Sequence, residues 1–147
     1  MKFITIDPRF AALCSDPEMM QKSDKRPHIV VLKLTYKGKK LNFAVPMRSN
    51  IPPSAAKSDY FPLPPRTTTK PKHRHGLHYI KMFPITKKYY RKFNVGKNPS
   101  YVLFQSIITK NTKQIVTECQ DYLNRYAAGN IPAYAVDIDA IIAKLGI

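Results

Sequence analysis

Carboxylates are almost missing from the middle of this 147-residue chain. Between residues 25 and 117 there are twenty Lys and Arg and a single acid, Asp59, whereas the remaining residues carry five basic and eight acidic side chains. Hard cations such as Mg²⁺ take carboxylate oxygens, so that region offers too few ligands for a two-metal nuclease centre. Cysteine is also scarce. Cys14 and Cys119 stand alone without CxxC spacing, which excludes a disulfide framework and points to a reducing cytoplasm as the compartment. There is no glycine-rich phosphate loop, so ATP and dinucleotides are not expected, and neither is any other cofactor. A nucleophile elbow and an acid placed to orient a histidine are both lacking, which removes a serine hydrolase. No apolar run approaches the roughly 20 residues that cross a bilayer, and Met1-Lys2-Phe3-Ile4-Thr5-Ile6-Asp7 reads as a strand instead of an export signal. No internal repeat divides the chain, so one domain over residues 1–147 is expected, with enough length to bury a core.

What is present is positive charge, and it is regional. The chain carries a formal +16 with a pI near 10.0, the sum of +19 in the 25–117 segment and −3 in the rest. Cations gathered on one segment are the footprint of a phosphate-backbone binder. An anionic membrane surface would favour a basic amphipathic helix, yet most of these cations stand among prolines and strand-like residues.

Asp7-Pro8 can cap and open a short helix, and residues 15–24 read as a polar loop. Residues 28–34 and 40–45 flank Tyr36-Lys37-Gly38-Lys39 as a β-hairpin, the first strand apolar enough to be central. Residues 50–72 form a long irregular stretch. Seven of the thirteen prolines fall between Pro46 and Pro71, and Tyr60-Phe61-Pro62-Leu63 supplies anchors, so this excursion is expected to be ordered. Residues 76–83 resume a strand, and residues 86–93 read as a short helix capped by Thr86. Asn98-Pro99 opens the main helical region and Gly129 closes it, with a break at residues 110–113. Residues 136–145 make a terminal helix behind Asp137. Strands early and helices late give an α+β fold, a curled antiparallel sheet with helices packed on one side.

The chain is organised around Pro46-Met47-Arg48-Ser49-Asn50. Pro46 is expected to end a strand, leaving Arg48 and Ser49 on a turn where a ligand can reach them. His73-x-His75-x-x-His78 superficially matches a zinc cluster, but it has no fourth ligand and lies among Lys70, Lys72, Arg74 and Lys81, so no metal site is expected. Without metal, phosphodiester cleavage remains open if the substrate supplies its own nucleophile, as RNA does through its 2′-hydroxyl. The protein then needs an acid/base group and cations facing phosphorus, roles that Lys25, Arg26, Arg48, Ser49 and His78 have the chemistry to fill. Tyr79, Tyr89, Tyr90, Phe93 and Tyr101 are interleaved with cations and could stack bases. The same charge and rings would equally serve an RNA-binding protein without catalysis.

The strand Lys2-Phe3-Ile4-Thr5-Ile6, the run Lys25-Arg26-Pro27-His28-Ile29-Val30-Val31-Leu32, the turn Ala44-Val45-Pro46-Met47-Arg48-Ser49, the run from His78 through Pro84-Ile85 and the two-part helix over residues 101–126 together resemble the type III toxin–antitoxin endoribonuclease toxins. Within that family, which includes the ToxN, CptN and TenpN groups, the proline-arginine-serine turn and its long insertion look closest to the latter two. The resemblance implies a compact, highly twisted antiparallel barrel like MazF and Kid, with a helical C-terminal half. It implies metal-independent endoribonuclease activity leaving a 2′,3′-cyclic phosphate. A small repeated pseudoknot RNA would inhibit the toxin, which would cut that RNA from its precursor and assemble with it, RNA bridging more than one toxin copy. The family's active-site hydroxyl and lysine match Ser49 and Lys25, with Arg26 as the alternative to Lys25. ToxN-like members carry a second hydroxyl where this chain has Arg48, so the arginine either binds phosphate or stands in for a catalytic group. Lys25, Arg48, Ser49 and His78 are thus the candidate catalytic residues. Arg26, Lys33, Lys57, Arg66, Lys70, Lys72, Arg74, His75, Lys81, Lys87, Lys88, Tyr89, Arg91 and Lys92 are the candidates for holding RNA.

Overall fold

A computed structural model describes residues 1–19 and 27–147, so the candidates Lys25 and Arg26 lie outside the described residues. Among the described residues seven strands form one antiparallel sheet: β1 (Phe3–Ile6), β2 (His28–Tyr36), β3 (Lys39–Ile51), β4 (Tyr60–Leu63), β5 (Arg74–His78), β6 (Phe83–Pro84) and β7 (Tyr90–Lys92). The helices are α1 (Pro8–Leu13), α2 (Pro99–Lys110), α3 (Thr112–Ala127) and α4 (Ile138–Leu145). The strand order is β4-β5-β3-β2-β1-β7, with β6 on β3 beside this path. Among the described residues β4 and β7 are therefore free edges, and the sheet is open where a closed barrel was expected. Helix begins in earnest only at Pro99, because β5, β6 and β7 occupy the residues before it. No helix among the described residues is long and apolar enough to cross a membrane.

Local sequence explains most of these elements. The hairpin between β2 and β3 closes through Lys37 and Gly38, at φ 47° and 79°, the left-handed pair that matches strand twist. Asp7 caps α1 by accepting from the Arg9 amide at 2.9 Å, and Asn98 caps α2 through the amides of Ser100 and Tyr101 at 3.0 and 3.2 Å. Asn111 separates α2 from α3, and Asp137 caps α4 through the Ala140 amide at 3.1 Å.

Three expectations fail where long-range pairing decides. β3 does not stop at Pro46 but runs on to Ile51. Residues 39–46 pair with β2, and from Met47 the strand pairs with β5, so Pro46 falls at the handover, where a missing donor disrupts the ladder least. Residues 76–83 are not one strand either. β5 ends at His78, a 3₁₀ turn spans Tyr79–Lys81, and β6 then pairs with Phe43 and Ala44 of β3. Residues 86–93 give a 3₁₀ turn and then β7, which pairs with β1, in place of the expected helix.

Period-two alternation sends neighbours in β1 to different cores. Phe3 joins the cluster with Phe104 and Ile108 of α2 and Ile115, Cys119 and Tyr122 of α3. Ile4 and Ile6 join Phe10 of α1 and Ile141 of α4. Helices therefore cover both faces of the sheet, not one, because β1 and β3 are apolar on both sides.

Candidate active site

Arg48 pairs with Gly76 and Ile51 with Arg74, so β3 carries one residue more than β5 in this interval. Ser49 and Asn50 thus sit in a β-bulge, the device by which strands re-aim side chains near functional sites. Ser49 is half-buried. The Asn50 carboxamide accepts from the Lys70 amide at 2.7 Å and donates to the Thr68 carbonyl at 3.2 Å, tying the proline-rich loop to the bulge. Gly76 has no room for a side chain, since a Cβ there would lie 2.1 Å from the Phe61 carbonyl oxygen.

The Arg48 side chain reaches His78 at the end of β5, with Nη1 3.2 Å from Nδ1. A guanidinium only donates, so Nδ1 accepts and the imidazole proton lies on Nε2. His78 is 1% exposed. Burial, then Arg48, then Lys81 pull its pKa from the usual 6.5 to about 3. It is a neutral ring at physiological pH whose Nδ1 lone pair is engaged by the Arg48 guanidinium. Arg48 itself is half-buried and, among the described residues, has no carboxylate within ion-pair distance. Burial lowers its pKa, and Glu18 partly offsets this.

Arg48 and His78 line a cavity of about 630 Å³ together with Glu18, Asp59, Lys81 and Tyr134. Both carboxylates are already neutralised: Glu18 meets Lys81 Nζ at 2.9 Å, and Asp59 meets Arg125 at 3.7 Å. Among the described residues that line the cavity, the charge without a carboxylate partner is the Arg48 guanidinium, a ready partner for a phosphate.

The other candidates scatter. His75 is 2% exposed, its Nδ1 2.8 Å from the Pro64 carbonyl and its ring on Phe104, so it is a core residue and does not face a ligand. Lys81 is buried too, its ammonium held by Glu18 and by the Tyr134 carbonyl at 2.7 Å. The ring nitrogens of His73, His75 and His78 each engage a different group, and no three metal-ligating side chains converge among the described residues. Lys57, Lys70, Lys72 and Arg74 are exposed around β4 and β5, and Arg66 lies over the Tyr101 ring at 5.4 Å, joining the basic loop to the start of α2. Lys87, Lys88, Arg91 and Lys92 lie at the opposite, β7 end of the sheet, where Arg91 is paired with Asp7 at 3.1 Å. Lys33 shares a separate depression with Lys87. Tyr79 is fully buried, with its hydroxyl donating to Glu118 at 2.8 Å, so it is not a stacking platform. Tyr89 packs edge-on against Phe10, and Phe93 against Tyr101.

Sequence reasoning missed Glu18, Asp59 and Tyr134. The carboxylates gave no signal, because their role is to match cations brought from elsewhere in the chain. Tyr134 did give one: a large ring in a short loop between Gly129 and the Asp137 cap, where no core position calls for it.

No protein-family description matches the sequence, and no curated protein does. Solved structures do match, among them proteins of bacterial type III toxin–antitoxin and antiviral systems. One is AbiQ, a lactococcal anti-phage endoribonuclease of a type III toxin–antitoxin system, with a TM-score of 0.72 and 13% identity over 99% of this chain and 95% of that one. A second comes from work on bacterial type III systems in which a non-coding RNA pseudoknot selectively inhibits the toxin (TM-score 0.67, 15% identity, 99% and 95% coverage). A third belongs to a bacterial antiviral system regulated by a processed non-coding RNA (TM-score 0.66, 16% identity, 98% and 96% coverage). At such identities the likeness is one of fold, end to end.

Proposed function

We propose that this chain is the toxin of a type III toxin–antitoxin system, an endoribonuclease that cuts RNA without a metal ion. The reading rests on one observation: a half-buried arginine held by a neutral histidine instead of a carboxylate, opening onto a cavity whose two acids are already paired. The full-length likeness in fold to AbiQ and to the pseudoknot-inhibited system supports it.

In this mechanism the 2′-hydroxyl of RNA attacks the adjacent phosphorus, the 5′-oxygen leaves, and a 2′,3′-cyclic phosphate remains. Arg48 faces the charge that grows on the non-bridging oxygens. Ser49, on the bulge, orients the phosphate or the 2′-oxygen. Lys25 assists proton transfer. His78 acts through Arg48 by fixing its guanidinium. A repeated pseudoknot RNA, cut from its precursor by the toxin, inhibits it by occupying the same cleft, and the RNA can bridge several copies of the chain.

Purified protein incubated with RNA in EDTA tests the reading. Defined cuts ending in cyclic phosphate are expected, and they should vanish in Ser49→Ala and Lys25→Ala variants that remain folded. Retardation of RNA without cleavage would leave only a binding protein, and full cleavage by both variants would remove this site.

A further inference from the structure

Tyr134 lines the Arg48 cavity and is 74% exposed. Its backbone is left-handed, at φ 65°, a conformation that costs a tyrosine about 1 kcal/mol or more. Two contacts hold the loop in that shape. The buried Lys81 ammonium donates to the Tyr134 carbonyl at 2.7 Å while paired with Glu18, and the Val136 amide donates to the Ile80 carbonyl at 3.2 Å, just beyond His78 in the chain. A strained backbone fixed by a buried cation, with its ring left in solvent, does not serve the core. Pro52, Ile80 and Pro132 line the same cavity and add apolar wall, and about 630 Å³ is within the range of small-ligand sites.

We propose that the cavity is a subsite for one unpaired nucleotide of RNA, its phosphate on Arg48 and its base stacked on Tyr134. The proposal rests on the RNA-cleaving reading above and adds the group that engages the base. Stacking on an aromatic ring is tolerant of base identity, so Tyr134 contributes affinity and registers the strand without reading its sequence.

The chain has no tryptophan, so Tyr134→Trp installs a single tryptophan, selectively excited above the tyrosine band, at the site, and Leu103→Trp on the exposed side of α2 gives a reference. Both are titrated with a single-stranded 2′-O-methyl hexaribonucleotide, which cannot be cleaved, while anisotropy of labelled RNA reports total binding. Quenching is expected at position 134 with the same midpoint as the anisotropy, with little at position 103 and none with inorganic phosphate alone. Tyr134→Ala should weaken RNA binding about tenfold and leave its salt dependence unchanged, Tyr134→Phe should bind like wild type, and Arg48→Ala should flatten the salt dependence by roughly one phosphate contact. Unquenched fluorescence from the Tyr134→Trp variant while anisotropy shows bound RNA, or undiminished affinity in Tyr134→Ala, overturns the subsite and leaves the nuclease reading intact. Failure of the wild-type protein to bind RNA overturns both.

Discussion

Arg48 Nη1 lies 3.2 Å from His78 Nδ1, and this contact fixes the chemistry of both residues. The arginine donates, so the histidine is neutral and carries its proton on Nε2. An arginine orientated by a neutral acceptor keeps its full charge for a ligand, which an aspartate partner would have quenched.

In the proposed mechanism His78 positions Arg48, so its variants should separate by what they offer Nη1. Asn places a carbonyl oxygen near the site of Nδ1, and His78→Asn should retain cleavage within a few-fold. His78→Ala should lower kcat/KM by about 10- to 100-fold, comparable to losing one aligned charge-assisted contact. The decisive readout is the pH–rate profile, whose limbs should be the same in wild type and His78→Asn. Loss of a limb in His78→Asn would restore His78 as the acid or base.

The same burial makes stability depend on pH. His78 titrates near 3 in the folded chain and near 6.5 when unfolded. Above pH 6.5 both states are neutral there and it contributes no slope. As pH falls from 6.5 toward 3, only the unfolded state takes up the proton, so stability declines by up to about 1.4 kcal/mol per pH unit. Burial shifts His75 in the same direction. Urea melts should therefore agree at pH 7.5 and 6.5 and weaken progressively at 5.5 and 4.5, with a shallower decline in His78→Asn. An equal decline in the two proteins would rule out His78 as its source.

Helix ends were legible because capping is local: Asp7, Asn98, Asp137 and Gly129 sit where a side chain or a left-handed glycine is needed, whatever the rest of the fold does. The hairpin at Gly38 and the apolar anchors Phe61 and Leu63 were legible for the same reason. Strand limits were not. Pro46 reads as a stop, yet β3 continues through it, because partners distant in sequence take over on either side. The candidate site was half legible: Arg48 and His78 do meet, but packing that no spacing rule records takes His75 and Tyr79 into the core and commits the Lys81 ammonium to Glu18 and the Tyr134 carbonyl.

Asn50 links the bulge to the basic loop through two hydrogen bonds, to the Lys70 amide and the Thr68 carbonyl. Removing them in Asn50→Ala should cost about 1–2 kcal/mol locally and loosen the loop more than the sheet. Trypsin should then cut after Arg66 or Lys72 several times faster than in wild type, as read by mass spectrometry, with the global melt nearly unchanged. Unaltered cleavage rates at those two sites would mean that the loop is held by its prolines and by the Arg66–Tyr101 contact instead.

Gly76 separates Arg48 on one side from Pro62 on the other, and the Phe61 carbonyl oxygen occupies the place a Cβ would take, at 2.1 Å. Because the obstacle is backbone, no rotamer change relieves it, and Gly76→Ala must push β4 away or twist β5. A loss of about 2–4 kcal/mol in stability is expected, the upper end of overpacking effects. Any folded fraction should cleave RNA poorly, since the shift moves β5 relative to Arg48 and opens the contact to His78. A variant with wild-type stability and activity would mean that β4 yields freely, and then β4 could not serve as a rigid wall beside the site.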